Sequence, residues 1–221
     1  MKTVVFDLDG TLADTSADLI SAANACFRRL GHGDLLHKET DKLTAFHGGR
    51  AMLRLGFSRA SDSWSESEID AEFPYLLESY AANIDRETVL YRGARTAVEQ
   101  LIEKGYRCAV CTNKPEYLAR ELLSRLDVLG LFGALIGADT LPQRKPDPIP
   151  YRTAVEVAGG KVVASCLIGD TETDVQTARA VGVPIVLVQF GPEGDSIARL
   201  APDALLSGYE DLHNVVSDLI G

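Results

Sequence analysis

The sequence lacks an apolar run long enough to cross a membrane, and it contains no internal repeat or low-complexity tract. It is also short of basic residues, because 22 Lys and Arg stand against 32 Asp and Glu and give a net charge of −10. Such a chain is repelled by a phosphate backbone, so neither nucleic acid nor a membrane is expected as a partner. A small anionic substrate fits, since a local site can be positive inside an acidic protein. Asp7 interrupts the first apolar residues, which argues against a signal peptide and predicts a cytoplasmic protein.

Cysteine is scarce as well, with four residues in 221. Cys108 and Cys111 have the C-x-x-C spacing that can indicate redox chemistry or a zinc site. They lie in a predicted strand, where residues three apart point to opposite faces. We therefore predict that they are small core residues in a reducing compartment.

The apolar pattern predicts an α/β protein. Short β-branched runs predict strands, and several of the helical patterns between them end at glycine. The predicted strands are Thr3–Leu8, Arg107–Cys111, Ala134–Gly137, Val163–Ile168 and Ile185–Val188. The predicted helices between them are Ala94–Lys104, Glu116–Leu126, Ile149–Val157 and Thr173–Val181. This alternation predicts a Rossmann-like parallel sheet covered on both faces.

Residues 16–85 show amphipathic helical patterns and no convincing strand. The chain is therefore expected to have an α/β core made of residues 1–15 and 86–221. A helical cap of residues 16–85 is inserted after the first strand. In an open parallel sheet, ligands bind beyond the carboxyl ends of the strands, so polar residues that follow the strands are candidates for a site.

Two carboxylates lie at the end of the first predicted strand. Asp7 and Asp9, in Asp7-Leu8-Asp9-Gly10-Thr11, are two residues apart and can face one pocket on an extended chain. One can act as a nucleophile while the other handles protons, if their surroundings separate their pKa values. By itself the segment is equally consistent with a polar strand end and an Asp-Gly turn.

Phosphate-binding groups follow two other predicted strands. Thr112 and Asn113 stand before a helix, where a hydroxyl and free backbone N–H groups can hold a phosphate. Lys145, in Lys145-Pro146-Asp147-Pro148, can present a positive charge to a phosphate or a carboxylate. The alternatives are an ordinary helix cap and a solvated basic turn.

A second pair of carboxylates lies in Gly169-Asp170-Thr171-Glu172-Thr173-Asp174. Asp170 and Asp174 are four apart at a predicted helix start, so they lie on one face. Their oxygens suit magnesium (Mg²⁺), a hard ion that uses few protein ligands, although acids at a helix start also act as caps. Each of the four segments is weak alone, but all four stand in order at strand ends.

In this order the four segments resemble the signature of the haloacid dehalogenase superfamily. D-x-D-G-T matches Asp7 to Thr11, an apolar strand ending in Thr matches Thr112, a lysine matches Lys145, and G-D-x-x-x-D matches residues 169–174. The resemblance covers essentially the whole chain, with residues 16–85 in the place of the family's cap. It implies a phosphatase, because relatives that cleave carbon–halogen bonds usually lack an aspartate at the position of Asp9.

The resemblance also implies roles for the residues that match. Asp7 attacks phosphorus, and Asp9 protonates the leaving oxygen and then activates water. Magnesium is held by the Asp7 carboxylate, the Asp9 backbone carbonyl and Asp170, and Asp174 supports it. Thr112 and Lys145 bind the phosphoryl oxygens, with Asn113 beside them, and Lys145 offsets the charge of Asp7.

Substrate choice is expected to depend on the cap. Arg50 follows Gly48-Gly49 and can offer a planar fork to a carboxylate on the substrate, or it can be an ordinary surface charge. Segments 112–115, 137–142 and 188–191 resemble the phosphoglycolate phosphatase subgroup. We therefore expect a small phosphate ester such as phosphoglycolate as substrate, and a protein that is a monomer or a homodimer. The alternatives are a phosphomutase resembling β-phosphoglucomutase and a catalytically silent binding protein.

Overall fold

The computed structural model describes residues 1–60 and 63–221. Residues 61 and 62, which belong to the predicted cap, lie outside the described residues. The chain forms two compact units, which we call the core unit (Met1–Asp14 with Leu90–Gly221) and the cap unit (Thr15–Val89). Within the described ranges, none of the helices combines the length and the apolar character that crossing a membrane requires.

The elements alternate as an α/β chain does once the cap unit has been passed. The helices are α1 (Ser16–Arg29), α2 (Lys42–Phe46), α3 (Gly49–Ala60), α4 (Glu66–Ala82), α5 (Ala94–Glu103), α6 (Glu116–Arg125), α7 (Pro148–Val157), α8 (Glu172–Val181) and α9 (Leu212–Ile220). The strands are β1 (Thr3–Phe6), β2 (Ala13–Asp14), β3 (Val89–Leu90), β4 (Arg107–Cys111), β5 (Ala134–Ile136), β6 (Ser165–Gly169), β7 (Ile185–Val188) and β8 (Ala204–Leu206). Short 3₁₀ helices lie at Leu129–Leu131, Val162–Ala164, Gly194–Leu200 and Tyr209–Asp211.

Six strands form a parallel sheet in the order β5-β4-β1-β6-β7-β8. The central strand β1 pairs Phe6 with both Val110 and Ile168, so the three central strands end at the same level. All four residues of β1 are buried, as expected for a parallel strand between two layers of helices. The predicted α/β class, with a Rossmann-like sheet and a helical insert after the first strand, is confirmed.

Helices α7 and α8 cover one face of the sheet, where Tyr151 and Ala178 join a buried cluster with Val5 and Leu167. Val4 alternates with Val5 and is also fully buried, so the opposite face is covered too. Because both faces of the sheet are covered, polar groups can gather at the edge where the carboxyl ends of the strands lie.

The cysteines of the sheet are core residues, as predicted. Cys108 and Cys111 are free and buried in β4. Burial raises the pKa of each thiol to about 12. Thiols that stay protonated at neutral pH are poor nucleophiles and poor metal ligands, so these two act through packing.

Several parts of the core unit differ from the sequence prediction, which does not include β2. The strand predicted from Val163 begins at Ser165, because Val162–Ala164 forms a 3₁₀ helix that leaves Val163 93% exposed. No strand or helix is predicted after Val188, yet β8 and α9 lie there. β8 has three residues, too few for alternation of apolar and polar positions to distinguish it from a loop.

The cap unit packs its helices at very short distances. A Cβ atom on Gly56 of α3 would lie 2.0 Å from the Phe27 ring of α1, so a larger residue there would displace that ring. The Phe27 ring meets Phe57 edge to face at 5.5 Å. Helix α4 begins with a capping box between Ser65 and Glu68, which satisfies backbone N–H groups at its start.

Candidate active site

The predicted core residues of the site meet at the carboxyl edge of the sheet. Asp7 follows β1 and donates its backbone N–H to the Ile168 carbonyl at 2.9 Å, which continues the pairing with β6. Thr112 extends β4 in the same way, by donating to the Ile136 carbonyl at 2.9 Å. Because neighbouring parallel strands end together, the residues that follow them lie close in space.

Asp7 is the centre of the cluster, and 8% of the residue is exposed. Its Oδ1 accepts a hydrogen bond from the Leu8 backbone N–H at 2.7 Å and lies 3.1 Å from Lys145 Nζ. Burial raises the pKa of Asp7 to about 6, although the Lys145 charge lowers it. A carboxylate in this setting is poorly hydrated and bears its charge close to a cation, as a nucleophile for an anionic substrate requires.

Lys145 is a buried cation held between two carboxylates. It is 3% exposed, and its Nζ donates to Asp174 Oδ1 at 2.7 Å besides contacting Asp7. Burial alone would lower the pKa of Lys145, but Asp174 and Asp7 outweigh it and raise that pKa. The ammonium therefore stays charged and fixed beside Asp7.

Asp174 supports this arrangement from the start of α8. Its Oδ2 accepts hydrogen bonds from the Thr171 hydroxyl at 2.7 Å and from the Thr171 backbone N–H at 3.1 Å, as part of a capping box. Its Oδ1 accepts from Lys145. Both oxygens are engaged, so Asp174 orients Lys145 and the loop that contains Asp170.

Asp170 has one engaged and one orphaned oxygen. Its Oδ1 accepts a hydrogen bond from the Thr11 hydroxyl at 2.7 Å, while its Oδ2 is buried without a hydrogen-bond partner among the described residues. Burial raises the pKa of Asp170 well above its ordinary value, and the negative charges of Asp7 and Asp174 raise it further. A buried carboxylate oxygen without a donor is unfavourable unless a cation meets it.

The charges of the cluster do not balance. Carboxylate oxygens of Asp7, Asp170 and Asp174 lie within 4.8 Å of one another, and the Lys145 ammonium contacts two of these residues, Asp7 and Asp174. When all three carboxyl groups are ionised, they carry two more negative charges than Lys145 balances, and this excess suits a divalent cation. The oxygen-only donors suit a hard ion such as Mg²⁺, which Asp7 and the orphaned oxygen of Asp170 would hold.

Thr112 and Asn113 stabilise the loop after β4. The Thr112 hydroxyl oxygen accepts the Lys114 backbone N–H at 3.1 Å, and the residue is 3% exposed. The Asn113 side-chain amide donates to the Lys145 carbonyl at 3.0 Å, so it joins the loop after β4 to the segment that contains Lys145. The phosphate-binding roles of Thr112 and Asn113 stay predictions.

Two contributors to the site were missed by sequence reasoning. Lys114 was noted only as part of a segment, yet its Nζ donates to Asp9 Oδ1 at 2.7 Å. The Tyr209 hydroxyl donates to the Thr11 carbonyl at 2.7 Å, which supports the loop after β1. The position of Lys114, two residues after Thr112, could have indicated its place at the site. Tyr209 lies in the region where no element was predicted.

Arg50 lies in the cap unit, where the structure gives it local partners. Its guanidinium forms an ion pair with Asp70 and lies 4.6 Å from the Phe73 ring centroid. The preceding Gly49 has a packing reason as well, since a Cβ atom there would lie 3.0 Å from Phe73. The glycine pair therefore does not by itself indicate a ligand, and the substrate-binding role of Arg50 stays a prediction.

The sequence matches a known family over most of its length. The family model for haloacid dehalogenase-like hydrolases matches residues 4–188. A phosphoglycolate phosphatase of Mesorhizobium japonicum is 34% identical over 211 residues, which are 95% of this chain and 92% of that protein. A phosphoglycolate phosphatase of Cereibacter sphaeroides is 34% identical over 227 aligned positions and covers all of both chains.

The fold matches solved structures as well. A crystal structure named as a predicted phosphoglycolate phosphatase from Haemophilus somnus superposes with a TM-score of 0.85. The alignment covers 97% of each chain at 23% identity, so this likeness concerns the fold alone.

Proposed function

This chain belongs to the haloacid dehalogenase-like hydrolases and is a phosphatase, and on that premise we propose that it hydrolyses small phosphate monoesters with Mg²⁺ through a phosphorylated Asp7. The observation that carries the proposal is the excess of buried negative charge around Asp7, Asp170 and Asp174 beside one lysine. A site built only for stability would neutralise these groups, because unpaired buried charges are destabilising. A site that binds a divalent cation and then a phosphoryl group needs that excess.

In the first step an Asp7 carboxylate oxygen attacks phosphorus. An oxygen–phosphorus bond forms on Asp7, the ester oxygen–phosphorus bond breaks, and the protonated Asp9 carboxyl group gives its proton to the leaving oxygen. Lys145 lies 3.1 Å from Asp7 and offsets the charge that a phosphate would meet there. Phosphoryl transfer depends mainly on positioning and charge stabilisation, which these groups supply.

In the second step water attacks the phosphorus of phosphorylated Asp7. The Asp9 carboxylate accepts the proton of that water, the bond between Asp7 and phosphorus breaks, and inorganic phosphate leaves. Asp9 ends the cycle protonated and Asp7 ends it as a free carboxylate, so both are ready for the next substrate. A single carboxyl group can act as a general acid in one step and as a general base in the next.

The metal site is proposed from the same residues. Asp7, the Asp9 backbone carbonyl and Asp170 would hold Mg²⁺, and Asp174 would support them through Lys145 and the loop at 170–171. Bound magnesium would neutralise the site and polarise a phosphoryl oxygen. The chain's own contribution is to keep Asp170 Oδ2 buried and directed by the Thr11 hydrogen bond on Oδ1.

Phosphoglycolate is the substrate that the relatives' names suggest. We propose that the cap unit sets substrate choice and that Arg50 would bind the carboxylate of such a substrate. The cytoplasmic location and the monomeric or homodimeric state stay predictions. A phosphomutase, the second reading of the same four motifs, differs by returning the phosphoryl group to a sugar instead of water.

The test is a phosphate-release assay over phosphoglycolate, sugar phosphates, nucleotides and p-nitrophenyl phosphate. We expect release with Mg²⁺, none in excess chelator, and weaker recovery with Ca²⁺, whose larger size and looser geometry would misplace Asp7. Incubation with a sugar 1-phosphate checks for isomerisation. Full activity in chelator would overturn the metal assignment, and no release from any ester would favour the silent binding protein.

A further inference from the structure

A second buried lysine lies at the site, and the proposed mechanism leaves it without a role. Lys114 Nζ lies 2.7 Å from Asp9 Oδ1, and the two residues are 105 positions apart in the chain. The Lys114 side chain is 4% exposed and that of Asp9 18%. A lysine is rarely buried to this extent unless a specific partner compensates for its lost hydration.

The backbone of Lys114 is held on both sides. Its N–H donates to the Thr112 hydroxyl oxygen at 3.1 Å, and its carbonyl accepts the Ala138 N–H at 2.9 Å. Two residues after Lys114, the Glu116 N–H donates to Asp139 Oδ1 at 2.7 Å. The loops after β4 and β5 are thereby joined, so the base of the Lys114 side chain has a defined position.

The loops also approach each other closely. A Cβ atom on Gly137 would lie 2.5 Å from the Glu116 backbone nitrogen, so no larger residue fits without a shift of backbone. The Thr140 hydroxyl oxygen accepts the Gly137 N–H at 2.8 Å, and the hydroxyl donates to Glu116 Oε2 at 2.7 Å. This framework leaves little freedom for the segment that carries Lys114.

The two lysines of the site serve different carboxylates. Lys145 contacts Asp7 and Asp174, whereas Lys114 contacts Asp9. Asp9 therefore contacts a different ammonium from the one that contacts Asp7 and Asp174. This separation matters because a third carboxylate on Lys145 would weaken the charge that faces Asp7.

We infer that Lys114 is a positioning residue for Asp9. Its hydrogen bond to Oδ1 holds the carboxyl group in place while the other oxygen carries the proton that goes to the leaving oxygen. The inference rests on the proposed function, because it assigns Lys114 to the acid–base step of that reaction. It has a specific consequence: Lys114 should matter in proportion to how much a leaving group needs a proton.

The experiment compares Lys114→Met with the wild type on two esters of different leaving groups. 2,4-Dinitrophenolate leaves without protonation, whereas the alkoxide of an alkyl phosphate does not. General acid catalysis typically contributes about 10²–10⁴-fold, so we expect kcat/KM to fall about 10- to 100-fold for the alkyl ester when its acid is misplaced. For the dinitrophenyl ester we expect a change below about 3-fold, since kcat/KM reports only the steps up to departure of the leaving group.

A double-mutant cycle adds a second readout that a structural role would not move. If Lys114 acts through Asp9, then Lys114→Met should have little further effect in an Asp9→Asn background, because residues that act as a unit are not additive. Lys114→Arg keeps the charge and should recover part of the activity on the alkyl ester. Lys104→Met is the matched control, since Lys104 is an exposed lysine of the same unit.

Folding is checked by circular dichroism and by the thermal midpoint of each variant. If Lys114→Met does not fold, Lys114→Arg gives the same test with a smaller expected difference between the esters. Equal losses on both esters, or full additivity with Asp9→Asn, would overturn the role of Lys114 while leaving the phosphatase assignment intact. A wild type that hydrolyses neither ester would overturn the proposed function and this inference with it.

Discussion

The core unit and the cap unit both bury polar side chains, but they use them in opposite ways. In the cap unit, Asp18 accepts the backbone N–H groups of Glu87 and Thr88 at 2.9 and 2.8 Å and the Thr88 hydroxyl at 2.8 Å. Asn24 accepts the Leu36 N–H at 2.9 Å and donates to the Leu36 carbonyl at 2.8 Å. These side chains satisfy the backbone of a neighbouring segment, so they stabilise the fold.

In the core unit the buried carboxylates face one another instead. Asp7 and Asp174 share Lys145, and Asp170 keeps an oxygen without a hydrogen-bond partner among the described residues. This arrangement leaves the site with unfavourable charge that a ligand can relieve. The comparison teaches that burial of a charge does not by itself indicate function. A buried charge indicates a functional site when its neighbours leave it incompletely satisfied.

The largest effect is expected from Asp7→Asn. The amide is nearly isosteric but is a poor nucleophile, so turnover should fall on the order of 10⁴-fold or more. The fold should persist, since Asp7 is one of several groups around Lys145. Phosphate release with p-nitrophenyl phosphate, together with circular dichroism, measures both.

Asp18→Asn is the matched control in the cap unit. It removes a buried carboxylate that accepts three donors, so we expect the free energy of unfolding to fall by about 1–3 kcal/mol. Turnover of the aryl ester per folded molecule should stay unchanged. Substantial activity in folded Asp7→Asn, or a catalytic defect in folded Asp18→Asn, would break the comparison.

Arg50→Ala tests whether the cap unit also carries a functional charge. A charge-assisted hydrogen bond contributes about 1.5–3 kcal/mol, so kcat/KM for a small carboxylated ester should fall about 10- to 150-fold and that for a neutral aryl phosphate far less. Arg50→Lys should recover only part, since a point charge lacks the planar fork.

The structure supplies the control for Arg50, because its ion pair is with Asp70. Asp70→Ala removes the same pair while keeping the arginine, and it should spare both esters if Arg50 acts on substrate. Equal losses on the two esters in Arg50→Ala would indicate a general role. No loss on either would make Arg50 a surface charge packed on Phe73.

The last effect is one of pH on stability, and its sign should differ between the units. The raised pKa of Asp7, about 6, means that the folded protein keeps a proton that the unfolded chain releases near its ordinary value. In chelator, the free energy of unfolding should therefore fall by at most about 3 kcal/mol as pH rises from about 4 to about 6. Asp7→Asn should remove this contribution and gain stability at neutral pH.

Asp41 in the cap unit should show the reverse. Its hydrogen bonds with Arg59 lower its pKa below the ordinary value. Its stabilisation is present above that ordinary value and is lost as pH falls, so Asp41→Asn should lose stability at neutral pH. Urea denaturation of both variants at two pH values measures the difference. The difference in free energy of unfolding between variant and wild type should rise with pH for Asp7→Asn and fall with pH for Asp41→Asn. If both differences changed in the same direction, the electrostatic contrast between the units would be removed.

Much of the core unit could be predicted because its information is local. The strands before Asp7, Thr112 and Asp170 are short apolar runs followed by polar residues, and parallel strands align their carboxyl ends. The start of β6 and the whole of β8 escaped prediction, because three-residue elements have too few positions for a period. Gly49, just before Arg50, makes room for Phe73 of the neighbouring helix, a contact that the local sequence does not indicate.

The sequence by itself determined which chemical groups stand at the strand ends and in what order. Strand periodicity and helix capping depend on residues that are close together in the sequence. Only the tertiary structure decided how those groups pair. It brought Lys114 to Asp9 across 105 positions, paired Asp174 with Lys145, and left Asp170 Oδ2 without a hydrogen-bond partner in the described part of the chain. The physical reason is that such contacts depend on strand order and on the close packing of loops. A difference of an ångström there decides which carboxylate receives the ammonium, and no periodicity in the sequence encodes that distance.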